Sequence, residues 1–127
     1  MTDTNTPKKI LIIDDDTFLL DMYVTKFKKS NFEVSAFSSA QEALDKLKGD
    51  VEFDAVIFDI IMPNMDGWTF AREYRKLNLQ PQAKFIVLSN QSQQADIDIG
   101  KEVKVDLFIV KALKTPSEVV QEISIIL

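Results

Sequence analysis

Short apolar runs recur along the chain at ILII (10–13), FEVSAF (32–37), AVIF (55–58), KFIVLS (84–89) and DLFIV (106–110). Their length suits strands rather than helices. Between them, apolar residues fall at helical spacing. Leu20, Tyr23, Val24 and Phe27 follow i, i+3, i+4, i+7, and Ala40, Ala43, Leu44 and Leu47 repeat that pattern. Ser39, with Glu42 three residues on, forms a capping box for the second helix. Phe70, Ala71, Tyr74 and Leu77 mark a third helix over 67–77. Thr115, Pro116 and Glu118 open the last, which carries a stripe of Val120, Ile123 and Leu127. The fourth segment, 91–103, has just Ala95, Ile99 and Val103 in step, with Gly100 near its end. It is expected to be the least rigid helix.

Strands apolar on both faces, alternating with helices, imply a parallel sheet covered on both sides. Right-handed crossovers then give an α/β, doubly wound architecture. In such sheets chemistry collects beyond the carboxyl ends of the strands. Asp14, Asp15 and Asp16 follow the first run and Asp59 the third; Ser89 and Asn90 end the fourth, and Lys111 follows the fifth. An aspartate where a buried strand runs out needs partners, because burying its charge alone costs several kcal/mol.

A chain of 127 residues, 46% apolar and 28% charged, fits one ordinary globular domain. A net charge of −5 without a basic run argues against general affinity for nucleic acid or anionic membranes. There is no Cys, which removes disulfides and thiolate chemistry, and no His, which removes imidazole ligands and any phosphohistidine on this chain. No apolar stretch approaches the roughly 18 residues of a membrane span, and no charged-then-apolar leader is visible. The expectation is a cytoplasmic protein with a polar, Pro-interrupted tail over 1–8 and one domain over 9–127.

Crowded carboxylates repel one another unless they share a cation. An oxygen-only donor set suits magnesium, whereas zinc and copper sites call for the absent His and Cys. An ammonium and a hydroxyl beside a carboxylate complete the parts needed to receive a phosphoryl group.

From Lys9 to Leu127 the chain resembles the receiver domain of two-component response regulators. ILIIDDD is similar to the family's first strand and acidic pair, and DIIMPNMDG to its phosphoacceptor strand end and loop. FIVLSN resembles the Ser/Thr strand and FIVK the lysine strand. The resemblance implies a flavodoxin-like (βα)5 sandwich with a five-stranded parallel sheet in the order 2-1-3-4-5. It implies a signalling switch without independent substrate turnover. Asp59 would be the phosphoacceptor, with Asp14 and Asp15 completing the acid pocket. Mg2+ would be held by Asp15, Asp59 and the backbone carbonyl of Ile61, and indirectly by Asp14. Ser89 and Lys111 would pair with the phosphoryl group. Phe108 falls at the aromatic switch position, turning inward as Ser89 moves and changing the face made by helix 4, strand 5 and helix 5. The implied donor is a histidine kinase or phosphotransfer protein, either a different molecule or a domain outside this sequence, since no His is present here. The implied recipient is a downstream protein or output domain at that face, and the chain itself is monomeric or a weak phosphorylation-dependent dimer.

Some residues take plainer readings. Asp16 is expected to cap helix 1 and Asp66-Gly67 to form a turn and helix start; Trp68, Phe70 and Tyr74 read as core or helix surface. Ala112 stands where the family usually has a proline joined to the lysine by a cis bond. A cis bond before a non-proline residue costs about 3 kcal/mol, so a trans bond and a rearranged loop over 111–115 are expected. EVKVD replaces the family's small-residue pair before strand 5. Ile61, at a position that influences hydrolysis in the family, should hinder an attacking water and prolong the phosphorylated form, whereas Gln91 can hold one. Two other functions are compatible with parts of the sequence. The missing proline allows a receiver-like module that binds partners without phosphate. IIDDDT faintly resembles the haloacid-dehalogenase-type phosphatases, with Asp14 as nucleophile and Asp16 as acid/base, but leaves DIIMPNMDG unexplained and lacks room for a cap.

Overall fold

A computed structural model describes residues 6–127, so part of the expected tail, residues 1–5, lies outside the described residues. Five strands, β1 (Lys9–Ile13), β2 (Glu33–Phe37), β3 (Ala55–Phe58), β4 (Lys84–Ser89) and β5 (Leu107–Val110), form one sheet in the order β2-β1-β3-β4-β5. Every pairing is parallel, with Ile13 opposite Phe58 and Ser89 opposite Val110. The helices are α1 (Thr17–Lys29), α2 (Ala40–Leu47), α3 (Gly67–Lys76), α4 (Gln94–Glu102) and α5 (Pro116–Ile126). The α/β doubly wound expectation and its strand order are met.

Side chains alternate across the central strands. Leu11, Ile13, Val56, Phe58, Phe85 and Val87 pack toward α2 and α3. Ile10, Ile12, Ile57, Ile86 and Leu88 pack toward α1 and α5. Helix starts follow the side-chain caps: Asp16 accepts from Leu19 N–H, Ser39 from Glu42 N–H, Asp66 from Thr69 N–H and Thr115 from Glu118 N–H. No described helix is long and apolar enough to cross a membrane.

Four local expectations need correction. β2 is not buried on both faces; as an edge strand with one neighbour it is half-exposed along its length. Leu77 lies just past α3 and is exposed. In α5 the buried face is Val119, Val120 and Ile123, whereas Leu127 is only partly buried. α4 is shorter than 91–103 and only part of its expected stripe packs: Ile99 and Val103 lie against the core, but Ala95 is exposed, and Asp96 and Gly100 face inward in its place. The reason is Trp68 on α3. Its indole N–H donates to Asp96 Oδ1 at 3.0 Å, and a Cβ on Gly100 would lie 3.7 Å from its ring. At the other end of α4, Arg75 donates to the carbonyls of Val103 and Lys104, each at 2.9 Å. Polar bonds from α3 thus seat both ends of a helix with few apolar anchors.

Candidate functional site

The strand ends bring the expected groups together on one rim. Lys111 Nζ donates to Asp14 Oδ2 at 2.5 Å and to Asp59 Oδ2 at 2.7 Å. Ser89 Oγ donates to Asp59 Oδ1 at 2.5 Å, and the Ile61 N–H makes a longer 3.4 Å contact to the same oxygen. Asp14 Oδ1 accepts the Asp16 N–H at 3.0 Å. Asp14 is 2% and Asp59 8% exposed. The buried carboxylate just past β3 is therefore doubly partnered, by an ammonium just past β5 and a hydroxyl at the end of β4.

Burial pushes the Asp14 carboxyl up, and the hydrogen bond and charge of Lys111 counter this only in part. Burial alone would pull Lys111 down, but its hydrogen bonds to Asp14 and Asp59, and their charges, outweigh it and hold the ammonium above its ordinary value. Lys111 is thus a fixed cation at neutral pH.

Asp15 is exposed, yet one carboxylate oxygen each from Asp14, Asp15 and Asp59 lie within 4.8 Å of one another. Three clustered carboxylates, with no His or Cys among them, fit a hard divalent cation. A cleft that shares Asp59 with this cluster is lined by Asp59, Ile61, Ser89, Asn90, Gln91 and Lys111. Ile61 stands 61% exposed at it.

Two backbone features hold this geometry. A Cβ on Gly67 would lie 2.2 Å from the Asp59 carbonyl oxygen, so the turn before α3 closes directly on the back of Asp59. Its N–H donates to the Ile60 carbonyl at 2.7 Å. After β5 the chain makes a single 3-10 turn, Lys111–Leu113. No cis peptide bond occurs among the described residues, as expected at Lys111-Ala112. Ala112 N–H donates to Asn90 Oδ1 at 2.7 Å, and Lys111 keeps its full reach.

Asp16 caps α1, as expected, so its carboxylate is engaged away from a catalytic acid/base role. Phe108 is partly buried against the cluster containing Ile99 and Val103. Sequence reading gives no role to Asn90 or Asp96 and no site contact to Trp68. Each acts through a long-range hydrogen bond that no local pattern announces.

A sequence model described as "Response regulator receiver domain" matches residues 10–124. The chain belongs to that family. This receiver is 35% identical over 118 residues to the chemotaxis protein CheY of Thermotoga maritima, covering 92% of this chain and 95% of that one. It is 28% identical over 115 residues to the response regulator SaeR of Staphylococcus aureus, covering 91% of this chain and 48% of SaeR. The receiver therefore spans about half the length of SaeR. Among solved structures, a CheY-like receiver domain protein from Methanospirillum hungatei superposes with a TM-score of 0.84 at 28% identity, covering 93% of this chain and 91% of that one. The resemblance seen in the sequence is thereby confirmed as membership of the two-component response regulator receivers.

Proposed function

We propose that this receiver is a phosphorylation-activated switch that takes a phosphoryl group onto Asp59 from a phosphohistidine on a histidine kinase or phosphotransfer protein. One observation carries the reading: Lys111 bridges Asp14 and Asp59 while Ser89 holds the remaining oxygen of Asp59. An Asp59 oxygen attacks phosphorus in line; the O–P bond forms as the donor's N–P bond breaks, and the imidazole leaves with that electron pair. Lys111 and Ser89 then donate to phosphoryl oxygens, offsetting the charge that develops there.

Asp15, Asp59 and the Ile61 carbonyl would hold Mg2+, with Asp14 supporting it indirectly. When bound, the metal supplies Lewis-acid stabilisation of the transferring oxygens. Movement of Ser89 toward the new group frees space for Phe108, and the α4–β5–α5 face changes for a downstream partner. No other substrate is turned over in this scheme.

The test is incubation with acetyl phosphate and Mg2+, followed by intact-mass measurement. One phosphoryl adduct is expected on the wild-type chain and none on Asp59→Asn. A wild-type chain that stays unlabelled, or a label that survives Asp59→Asn, overturns the assignment.

A further inference from the structure

One buried carboxylate has no part in the scheme above. Asp96, in the first turn of α4, is 4% exposed. Its Oδ2 accepts the Gln93 N–H at 3.2 Å, which is ordinary helix capping. Its Oδ1 does something else. It accepts both the Trp68 indole N–H from α3 and the Gln91 side-chain amide from the β4–α4 loop, each at 3.0 Å. The Gln91 backbone N–H donates in turn to Ser89 Oγ at 3.2 Å, and that hydroxyl donates to Asp59. Four hydrogen bonds thus run without a break from Asp59 through Ser89, Gln91 and Asp96 to Trp68.

We propose that this chain of bonds couples the occupancy of Asp59 to the seating of α4 on α3, and that it favours the arrangement with Asp59 bare. The inference rests on Asp59 as the phosphoacceptor. Ser89 Oγ has one proton and donates it to the carboxylate. An anionic group added to Asp59 offers competing acceptor oxygens, and Oγ must move to reach them. Gln91 is tethered at both ends, by its backbone to Ser89 and by its side chain to Asp96. It cannot follow Ser89 without pulling on Asp96. Leaving the buried carboxylate or indole N–H unpaired is costly, so the start of α4 moves instead. This route runs through α3 and the β4–α4 loop and does not need Phe108. Linkage requires the reverse effect: a loosened clasp must change affinity at Asp59.

Trp68 is the chain's single tryptophan, so its fluorescence reports the far end directly. The probe is beryllofluoride with Mg2+ added to the full chain, its binding measured separately by 19F NMR. The wild type should bind fluoride and shift its emission. Asp96→Ala should bind about fivefold or more tightly and show no emission shift on binding. Asp96→Asn keeps a carbonyl acceptor for Trp68 and should retain the response. Trp68→Phe, read by 19F NMR alone, should tighten binding in the same direction and serves if Asp96→Ala fails to fold. Fluoride bound to the wild type with unchanged emission overturns the coupling alone. So does Asp96→Ala with wild-type affinity and response, or Trp68→Phe with wild-type affinity. No bound fluoride in the wild type would remove the phosphoacceptor reading itself, and the coupling with it.

Discussion

Ala112 donates its backbone N–H to the side-chain oxygen of Asn90 at 2.7 Å. The bond ties the turn after β5 to the residue after β4, between the strand ends that carry Lys111 and Ser89. A proline at 112 would have no N–H to give, so the departure from the family's usual residue is what makes this link available. It steadies the turn from which Lys111 reaches both carboxylates. Asn90→Ala is expected to cost about 0.5–1.5 kcal/mol in urea unfolding and to slow labelling by acetyl phosphate severalfold. A labelling rate equal to wild type would mean that Lys111 is aimed without this bond.

Two glycines predict opposite signs. Gly67→Ala puts a methyl 2.2 Å from the Asp59 carbonyl oxygen and 2.7 Å from the Ile60 Cα, both rigid backbone. A loss of about 1–3 kcal/mol is expected, with weaker phosphorylation because Asp59 itself is displaced. Gly100→Ala meets Trp68, Phe108 and Val105 no closer than 3.7 Å, inside a helix. It should stabilise the fold by up to about 1 kcal/mol. Thermal melts of the two variants check both signs.

The contrast between these glycines marks what the sequence can convey. Strand runs, helix caps and the gathering of Asp14, Asp15, Asp59, Ser89 and Lys111 at strand ends are legible because each depends on local pattern or on the general rule that such sheets work at their carboxyl ends. The facing of α4 is legible only in part. Ile99 and Val103 pack inward as their spacing suggests, but Ala95 does not, and a missing side chain at Gly100 and a buried hydrogen bond at Asp96 complete the inward face instead. Nothing in FEVSAF tells that β2 ends on an edge. The Asn90–Ala112 bond joins residues 22 apart whose side chain and amide have no sequence signature.

Asp96 also sets a pH dependence. Burial would raise its carboxyl, but hydrogen bonds from Trp68, Gln91 and the Gln93 backbone outweigh this and hold it below the ordinary value of 3.8. A depressed folded value means the stabilisation is complete above the unfolded value and is lost as pH falls through the folded one. Asp96→Asn should therefore be less stable than wild type at neutral pH, with the gap narrowing below about pH 4. Urea midpoints across that range test it; a gap independent of pH would assign the loss to packing.

Ile61 stands exposed at the cleft beside Asp59. Its side chain offers no hydrogen bond to an incoming water. Replacing it by asparagine should shorten the phosphorylated lifetime severalfold, as measured by phosphate release after the donor is removed. An unchanged lifetime would place control of hydrolysis elsewhere.

Asp15 is the accessible member of the carboxylate trio with Asp14 and Asp59. A cation bound there joins the folded state and not the unfolded chain, so Mg2+ should raise the thermal midpoint. At one hundred times the dissociation constant the gain is about 2.7 kcal/mol, and a chelator should reverse it. Asp15→Asn keeps the size of the side chain but removes its charge, leaving Lys111 paired with Asp14 and Asp59 as before. That variant should match wild type without metal and respond only at much higher Mg2+. An identical Mg2+ response in both chains would show that the ion binds away from this trio.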